Sequence, residues 1–359
     1  MVVSLPQLEG RNVLTHSRMQ TKLTCDRKHY FAYELGWRPA GTSKAIQIGQ
    51  WVHHALDWWC HGAKQEDIVA DLPGEIDGSE HDAQMVAALV RGYFDRYALD
   101  EHETIASELP FRFRLRNPRG RASRTFDLAG KIDRIVRLPD DRLAVLETKT
   151  MSESVAPESD YWTRLELDNQ ISLYMIAARE LGYDVETVIY DAIRKPSMKP
   201  TTIPDLDNAG QKVVVDKGLN RVFKKNGEPR LSARKDLGEF LLERDESPEE
   251  YGVRLAQNIA ERPEFYYARR EIPRLEDDLD QFMAEVWQLS KRVMSDRRLG
   301  ITIRNTGACD WKGRCPYLGI CRNAAIPGQV PEGYRQLGNI HPELEEADAG
   351  TKTVEAQGH

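Results

Sequence analysis

Gly130-Lys-Ile-Asp133-Arg-Ile-Val-Arg-Leu-Pro-Asp-Asp-Arg-Leu-Ala-Val-Leu-Glu147-Thr-Lys149 is the stretch of the chain that decides its fold. Two apolar segments flank a polar turn, a pattern that predicts a β-hairpin with its loop at 138–142. A loop of that length sets a register in which Asp133 lies opposite Glu147. Lys149 points to the same face as Glu147, because side chains alternate between the two faces of a strand.

Two carboxylates directly across a strand pair repel each other and destabilise a hairpin. A divalent cation between Asp133 and Glu147 would remove that effect, since hard cations such as Mg²⁺ are held by one or two carboxylates together with substrate phosphates. The ammonium of Lys149 could position a water nucleophile and offset developing negative charge. This arrangement is typical of phosphodiester cleavage. The same charges could instead form an ion-pair ladder on a solvated hairpin face, and the stretch alone favours neither interpretation.

The bulk properties are those of an ordinary globular protein. A chain of 359 residues suffices for one large or two modest domains. Its net charge of -7 argues against a protein that coats nucleic acid non-specifically, although local charge can differ from the total. The start of the chain lacks a secretory signal pattern, and no apolar stretch approaches the length of a membrane span. We therefore expect a cytoplasmic protein whose cysteines stay reduced.

Hydrophobic periodicity predicts a mixed sheet flanked by helices. Helices are expected at 14–35, 44–61, 81–99, 161–181, 246–260 and 274–297, and strands at 105–115, 125–137, 142–149, 186–193 and 264–271. Residues 62–80 are interpreted as a connection rich in glycine and aspartate. The tail at 326–359 is acidic and poor in large apolar residues, so we expect it to be disordered.

Residues 194–236 form a strongly basic segment inside an acidic chain. Taken singly, each charge is most simply a solvated side chain. Collectively they suit a DNA-binding groove, because phosphate contacts supply most non-specific affinity for nucleic acid. The candidate DNA contacts are Arg194, Lys195, Lys224 and Lys225.

Three of the five cysteines are spaced regularly in a loop that contains glycine and proline: Cys309, Cys315 and Cys321. Core packing does not explain such spacing, and a metal does. Three thiolates need a fourth ligand to close a zinc site or to hold an iron–sulfur cluster. Cys25, beside basic residues that would stabilise a thiolate, and Cys60, on an apolar helix, are the candidates. The spacing does not choose between iron and zinc.

Two pairs of polar side chains could support the hairpin charges. His53 and His54 lie on the second predicted helix, where a histidine is more often structural than a metal ligand, yet neutral imidazole binds divalent metals well. Gln170 and Tyr174 are four residues apart on the helix that follows the Glu-x-Lys strand, so they share one helix face. They could hydrogen-bond a phosphate or orient the lysine.

Together these motifs resemble the RecB-like and Cas4-like exonuclease branch of the PD-(D/E)XK nuclease superfamily, including versions carried by bacteriophages. The matching elements over 17–323 are Cys25 with a basic-aromatic helix, Gly49-x-x-x-His53, Gly130-x-x-Asp133, Glu147-x-Lys149, Gln170-x-x-x-Tyr174 and the cysteine trio. The resemblance implies an α/β restriction-endonuclease-like fold, a mixed sheet flanked by helices, with a helical and iron–sulfur extension. One domain would span 1–325, with its core at about 100–193 and the basic insertion at 194–236.

The resemblance also implies roles for individual residues. A Mg²⁺ or Mn²⁺ ion would be bound by His53, Asp133 and Glu147, with the Thr148 carbonyl nearby. Lys149 would position or activate the attacking water, while Gln170 and Tyr174 would support the site and contact DNA. Glu108 is a candidate outer ligand.

The resemblance further implies that the four cysteines Cys25, Cys309, Cys315 and Cys321 ligate a 4Fe–4S cluster that joins both ends of the domain. The family trio usually contains a tight Cys-x-x-Cys, whereas both gaps here are five residues long. The identity of the cluster therefore stays open between iron–sulfur and zinc. The position of His53 after Gly49 favours it over His54.

The function expected from these residues is metal-dependent hydrolysis of DNA phosphodiesters, exonucleolytic and on single strands or ends. It would serve recombination, repair or phage DNA metabolism, with a helicase or recombinase as a candidate partner. One alternative is a catalytically inactive DNA-binding or assembly module, and another is a structural protein stapled by zinc. An inactive module has no physical need for the destabilising cluster of Asp133, Glu147 and Lys149.

Overall fold

The computed structural model describes residues 9–41, 44–76, 78–310, 313–322, 329–341 and 344. The chain divides into two compact units. The first comprises Met1–Gln50, Leu99–Ile193 and Ala268–His359, and the second comprises Trp51–Ala98 and Arg194–Tyr267. No helix in the described ranges is both long and apolar enough to cross a bilayer.

The described chain contains both helices and strands, some of them in runs of three or more of one kind. The helices are α1 (His16–Thr24), α2 (Asp26–His29), α3 (Lys44–Cys60), α4 (Gln65–Glu75), α5 (Glu80–Arg96), α6 (Asp160–Leu165), α7 (Asn169–Glu180), α8 (Pro248–Glu261), α9 (Pro263–Tyr266), α10 (Glu276–Leu299) and α11 (Leu318–Arg322). The strands are β1 (Val13–Leu14), β2 (Trp37–Pro39), β3 (Glu103–Arg116), β4 (Ala122–Arg137), β5 (Leu143–Met151), β6 (Val185–Arg194), β7 (Thr202–Pro204), β8 (Val214–Val215), β9 (Phe240–Leu241), β10 (Glu243–Asp245), β11 (Tyr267–Pro273) and β12 (Tyr334–Gln336).

A six-stranded mixed sheet organises the first unit. Its order is β1-β4-β5-β6-β11, and β3 pairs with β4 beside this path. β1 runs parallel to β4, whereas β3 and β5 are antiparallel to it. Apolar side chains of the sheet pack with those of α7 and α10 in one core, which includes Ile132, Val145, Leu173 and Phe282. Burial of these side chains is the main stabilising term.

The β4–β5 hairpin has the register predicted from its sequence. Arg137 pairs with Leu143 and Arg134 with Leu146, so the next residues along, Asp133 and Glu147, follow in the same register. The apolar positions in the paired segment are buried on both faces. Such two-sided burial explains the nearly continuous apolar runs on either side of the turn.

Two of the predicted helices are interrupted. A residue with an extended backbone breaks the first, and a polar side chain that caps a new helix breaks the second. The helix expected at 14–35 breaks at Cys25, which has an extended backbone (φ -165°, ψ 119°). The helix expected at 161–181 breaks before α7, where the Asp168 side chain accepts a hydrogen bond from the Gln170 amide and caps the helix. The connection expected at 62–80 instead contains α4, which buries Ile68 and Leu72.

The prediction of a disordered tail from residue 326 is wrong for 329–341. β12 pairs antiparallel with β2, and Tyr334 lies opposite Pro39. Ile340 and His341 are buried, and a ring nitrogen of His341 lies 3.2 Å from the Val13 carbonyl oxygen. Local composition missed this segment because its partners lie near the other end of the chain. Residues 345–359 lie outside the described residues.

The second unit is larger than the predicted basic insertion, since it reaches Tyr267 and also includes 51–98. Its helices α5 and α8 pack closely at Gly92, where an added Cβ would lie 2.4 Å from Ile259. Three short hairpins follow one another within 205–231, which we call the hairpin array. The array carries part of the basic sequence of this region, including Lys212, Lys217 and Lys225.

Candidate active site

The two predicted acidic residues lie on neighbouring strands of the first unit. Asp133 is half-buried on β4, and its Oδ2 accepts a hydrogen bond of 2.9 Å from the Thr148 amide of β5. Glu147 is only 1% exposed. Gly130, three residues before Asp133, lies against Phe111, whose ring would be 2.7 Å from an added Cβ. The glycine therefore allows β3 and β4 to pack an aromatic ring beside the acidic residues.

The two carboxylate oxygens of Glu147 have different surroundings. Oε1 accepts a hydrogen bond of 2.8 Å from Gln170 Nε2 and pairs with the Lys149 ammonium. Oε2 is buried and has no hydrogen-bond partner within the described chain. Burial and the charge of Asp133 raise the pKa of Glu147 to about 8. A buried, unpaired carboxylate oxygen is unfavourable, and a cation at Oε2 would satisfy it.

Lys149 remains charged at neutral pH. Burial lowers its pKa, but the carboxylates of Glu147 and Asp133 outweigh burial and raise it. Its side chain as a whole is 36% exposed. A group that holds its proton this firmly is suited to hold a water or a phosphate by hydrogen bonding, and is poorly suited to remove a proton from water.

Glu108 adds a third carboxylate beside this pair. It lies on β3 between Ser107, which pairs with Arg134, and Leu109, which pairs with Ile132. One oxygen of Glu108 and one of Asp133 lie within 4.8 Å of each other. The Glu108 backbone has a φ of +47°, which is strained for a residue other than glycine. The side chain also pairs with Lys131.

Helix α7 brings Gln170 and Tyr174 to the acidic pair. Gln170 Nε2 donates both to Glu147 Oε1 and, at 2.9 Å, to the Tyr174 hydroxyl. Burial and then the nearby charges of Glu147 and Asp133 raise the pKa of Tyr174 well above its usual range, so it is a neutral phenol. Gln170 and Tyr174 are 4% and 8% exposed, which suits residues that orient Glu147. Their predicted contact with DNA stays a prediction.

His16 and Asp168 also lie at the site, and no local sequence pattern points to either residue. His16 is the first residue of α1, and its Nε2 lies 3.6 Å from Asp168 Oδ1. Burial is the main reason that the pKa of His16 falls to about 4. The negative charge of Asp168 opposes this shift, and the positive charge of Lys149 adds to it. A neutral imidazole therefore lies near the lysine. Only the packing of α1 near α7 reveals this pair.

The predicted ligand His53 lies on the part of α3 that belongs to the second unit. Gly49, one helical turn earlier and in the first unit, approaches β5 so closely that an added Cβ would lie 2.9 Å from Thr150 Oγ1. His53 is half-buried, whereas His54 is exposed and its ring lies tilted against Trp51 with ring centroids 5.9 Å apart. The assignment of His53 as a metal ligand stays a prediction.

The four predicted cluster ligands meet in the first unit. The Cys25 sulfur accepts a hydrogen bond of 3.5 Å from the Asn305 amide, and the Cys309 thiol lies 3.9 Å from the Asn305 carbonyl. Burial and the neighbouring thiols of Cys315, Cys321 and Cys25 raise the pKa of Cys309. All four side chains are half-buried and form no disulfide. Cys25, rather than Cys60, is thus the residue placed against the trio.

Two of the four predicted DNA contacts are engaged within the second unit. The Arg194 guanidinium lies 4.0 Å from the centre of the Phe265 ring, and Lys224 pairs with Glu228 at 3.0 Å. Burial lowers the pKa of Lys195. Lys225 is exposed in the last turn of the hairpin array. DNA binding by these four residues stays a prediction.

A model of the PD-(D/E)XK nuclease superfamily matches residues 13–322. The chain therefore belongs to the PD-(D/E)XK nuclease superfamily. The predicted α/β restriction-endonuclease-like fold, a mixed sheet flanked by helices, is confirmed. By family, the protein is a hydrolytic nuclease.

Two solved structures are similar to the chain at low identity. One, from Eubacterium rectale, is described as a "Putative exonuclease"; it is 11% identical and covers 90% of this chain and 92% of that chain, with a TM-score of 0.43. The other, SSO0001, is 11% identical and covers 70% of this chain and 76% of that chain, with a TM-score of 0.23. No curated protein matches the chain.

Metal affinity at this site should depend on pH through Glu147. With a pKa of about 8, the carboxyl group is protonated at lower pH, and a cation must displace that proton. We expect Mn²⁺ affinity to rise up to about tenfold per pH unit below about pH 8 and to level off above it. Calorimetric titrations in buffers of different ionisation enthalpy measure both the affinity and the proton released. An affinity that stays constant between pH 6.5 and 7.5 would contradict the assignment.

Proposed function

We propose that this protein is a metal-dependent deoxyribonuclease that degrades DNA from ends, with single strands or duplex ends as substrates. The observation that carries the proposal is the buried, unpartnered Oε2 of Glu147 beside the carboxylate of Asp133 and the ammonium of Lys149. In an inactive DNA-binding module, nothing would offset the unfavourable burial of that oxygen. A hydrolase that loads a cation explains it.

The donor set suits Mg²⁺ or Mn²⁺. Carboxylate and carbonyl oxygens are the preferred ligands of these hard cations. In our proposal Asp133, Glu147 and the Thr148 carbonyl hold the ion, Glu108 acts directly or through water, and His53 completes the set. A cation so held polarises a phosphoryl oxygen and lowers the pKa of bound water.

The side chains around these ligands are proposed to orient the attacking water and to position Glu147. Lys149, as an ammonium, orients the attacking water and offsets negative charge that develops on the phosphate. Gln170 fixes the carboxylate plane of Glu147 through its hydrogen bond to Oε1. The neutral imidazole of His16 supports Asp168, which caps α7 and so holds Gln170 in place.

For the four cysteines we propose a 4Fe–4S cluster, with zinc as the alternative. Four cysteine thiolates are a ligand set that either centre accepts, and the 4Fe–4S cluster is the one that the family resemblance implies. Cys25 follows α1 and the trio follows α10, so the cluster would join the two ends of the first unit.

The basic residues of the second unit are proposed to hold DNA, and of the four named above Lys224 and Lys225 are exposed. In this proposal the protein acts in the cytoplasm, in recombination, repair or phage DNA metabolism. A helicase or recombinase is the candidate partner, because an exonuclease needs a process that supplies or consumes DNA ends.

Loss of Lys149 tests the reaction. We expect Lys149→Ala to lower degradation of end-labelled single- and double-stranded DNA by about 100- to 1000-fold, since it removes a charge that stabilises the transition state. The assay compares Mn²⁺, Mg²⁺ and EDTA. Lys291→Ala, which removes an exposed lysine stacked on Trp287 of α10, is the matched control and should retain activity. Metal-dependent degradation that survives in Lys149→Ala would refute the assignment.

Loss of Cys25 tests the cluster. The anaerobically purified protein should be brown, with broad visible absorption and bound iron and sulfide. Cys25→Ser should lose most of this absorption because one of four ligands is removed. Cys60→Ser, on a helix of the second unit, should keep it. A colourless wild-type protein with one zinc per chain would instead establish the zinc alternative.

A further inference from the structure

The three hairpins of the hairpin array share one turn geometry. In each five-residue turn the amide of the first residue donates to the carbonyl of the fifth, at 2.9 Å in 207–211, 3.0 Å in 216–220 and 2.8 Å in 224–228. The fourth residue has a positive φ in every case: +70° at Gly210, +61° at Leu219 and +81° at Gly227. The turn therefore requires a left-handed residue at its fourth position. Glycine meets that requirement in the outer two turns.

The middle turn has a leucine at the position where its neighbours have glycine. A leucine in the left-handed conformation brings its Cβ too close to the following carbonyl oxygen. Burial does not offset this strain, because the Leu219 side chain is 66% exposed. The turn thus presents an apolar side chain to solvent on a strained backbone. An outlier of this kind points to a function outside the fold itself.

Lys217 belongs to this turn, and its side chain packs on the segment that carries Lys235. The stem of Lys217 lies over Gly238, where an added Cβ would be 3.1 Å from Lys217 Cε. Gly238 ends the short helical turn Lys235–Leu237, in which Leu237 is 57% exposed. Neither Lys217 nor Lys235 forms an ion pair within the described ranges.

The acids near this tip are already engaged. Asp216 uses its Oδ1 to accept hydrogen bonds from the Gly218 and Asn220 amides. Asp236 pairs with Arg234 at 2.8 Å. The tip therefore combines exposed leucines with two ammonium groups that form no ion pair within the described ranges, in a chain whose total charge is negative.

We propose that Leu219 is a wedge that inserts at the terminal base pair of a DNA duplex, while Lys217 and Lys235 contact the flanking phosphates. Proteins that unstack a base step use a single leucine or similar apolar side chain in this way, and lysine contacts to phosphate position it. A projecting tip offers too little surface for a stable protein interface. The proposal rests on the proposed function and assigns duplex ends as a substrate that the second unit opens.

The test places 2-aminopurine at the terminal base pair of a blunt duplex and omits divalent metal, so that binding is observed without cleavage. Wild-type protein should raise the fluorescence as the base unstacks. Leu219→Asn should lose most of this rise and bind the duplex end about tenfold more weakly, the factor expected for one leucine side chain left unburied. The control is Leu206→Asn, which changes an exposed leucine outside the turn positions and should behave as wild type.

A folding defect in Leu219→Asn is not expected, so it would not explain a smaller fluorescence rise. Asparagine tolerates the left-handed conformation better than leucine, so Leu219→Asn should melt at the same temperature or higher. Equal fluorescence rises in wild type and Leu219→Asn, or no rise in wild type, would overturn the wedge. Degradation of single strands by wild type with Mn²⁺ separates the two proposals: if it persists while the fluorescence test fails, the wedge alone is wrong.

Discussion

Burial of the Glu147 carboxylate is the constraint on which the site depends. Taking a carboxylate out of water is unfavourable unless charges and hydrogen bonds compensate it. Lys149 and Gln170 compensate Oε1 of Glu147. Its Oε2 has no such partner and lies buried near the charge of Asp133. Close to this carboxylate, the hairpin residues Ile132, Ile135 and Val145 are buried in the apolar core. The fold is thus locally less stable than it could be, at a place where a cation would reverse the effect.

Helix α1 links this site to the thiol cluster. Its first residue, His16, lies beside Asp168, and Cys25 follows its last residue. Between them Arg18 is fully buried and donates to Glu34, which also accepts from Arg297 of α10. Burial lowers the pKa of Arg18 to about 10, so the guanidinium stays charged and the ion pair persists at neutral pH. The termini of the first unit are therefore held together by charge around the helix that reaches the site.

The sequence predicted the features that follow from local patterns. The hairpin register and the shared face of Gln170 and Tyr174 needed only the periods of strand and helix. The approach of His16 to Asp168 and the pairing of β12 with β2 join residues far apart in the chain, which no local pattern records. The positive charge of Lys224 was visible, yet its pairing with Glu228 was overlooked although both residues belong to one turn.

The most direct test of this metal site is anomalous diffraction from crystals grown with Mn²⁺. We expect a strong anomalous peak at about 2.1 Å from oxygens of both Asp133 and Glu147, with Glu147 Oε2 as a ligand. In that structure Gln170 should keep its hydrogen bond to Oε1. An absence of manganese at this position at saturating concentration, or manganese bound only elsewhere, would contradict the central claim that the buried carboxylate exists to hold a catalytic cation.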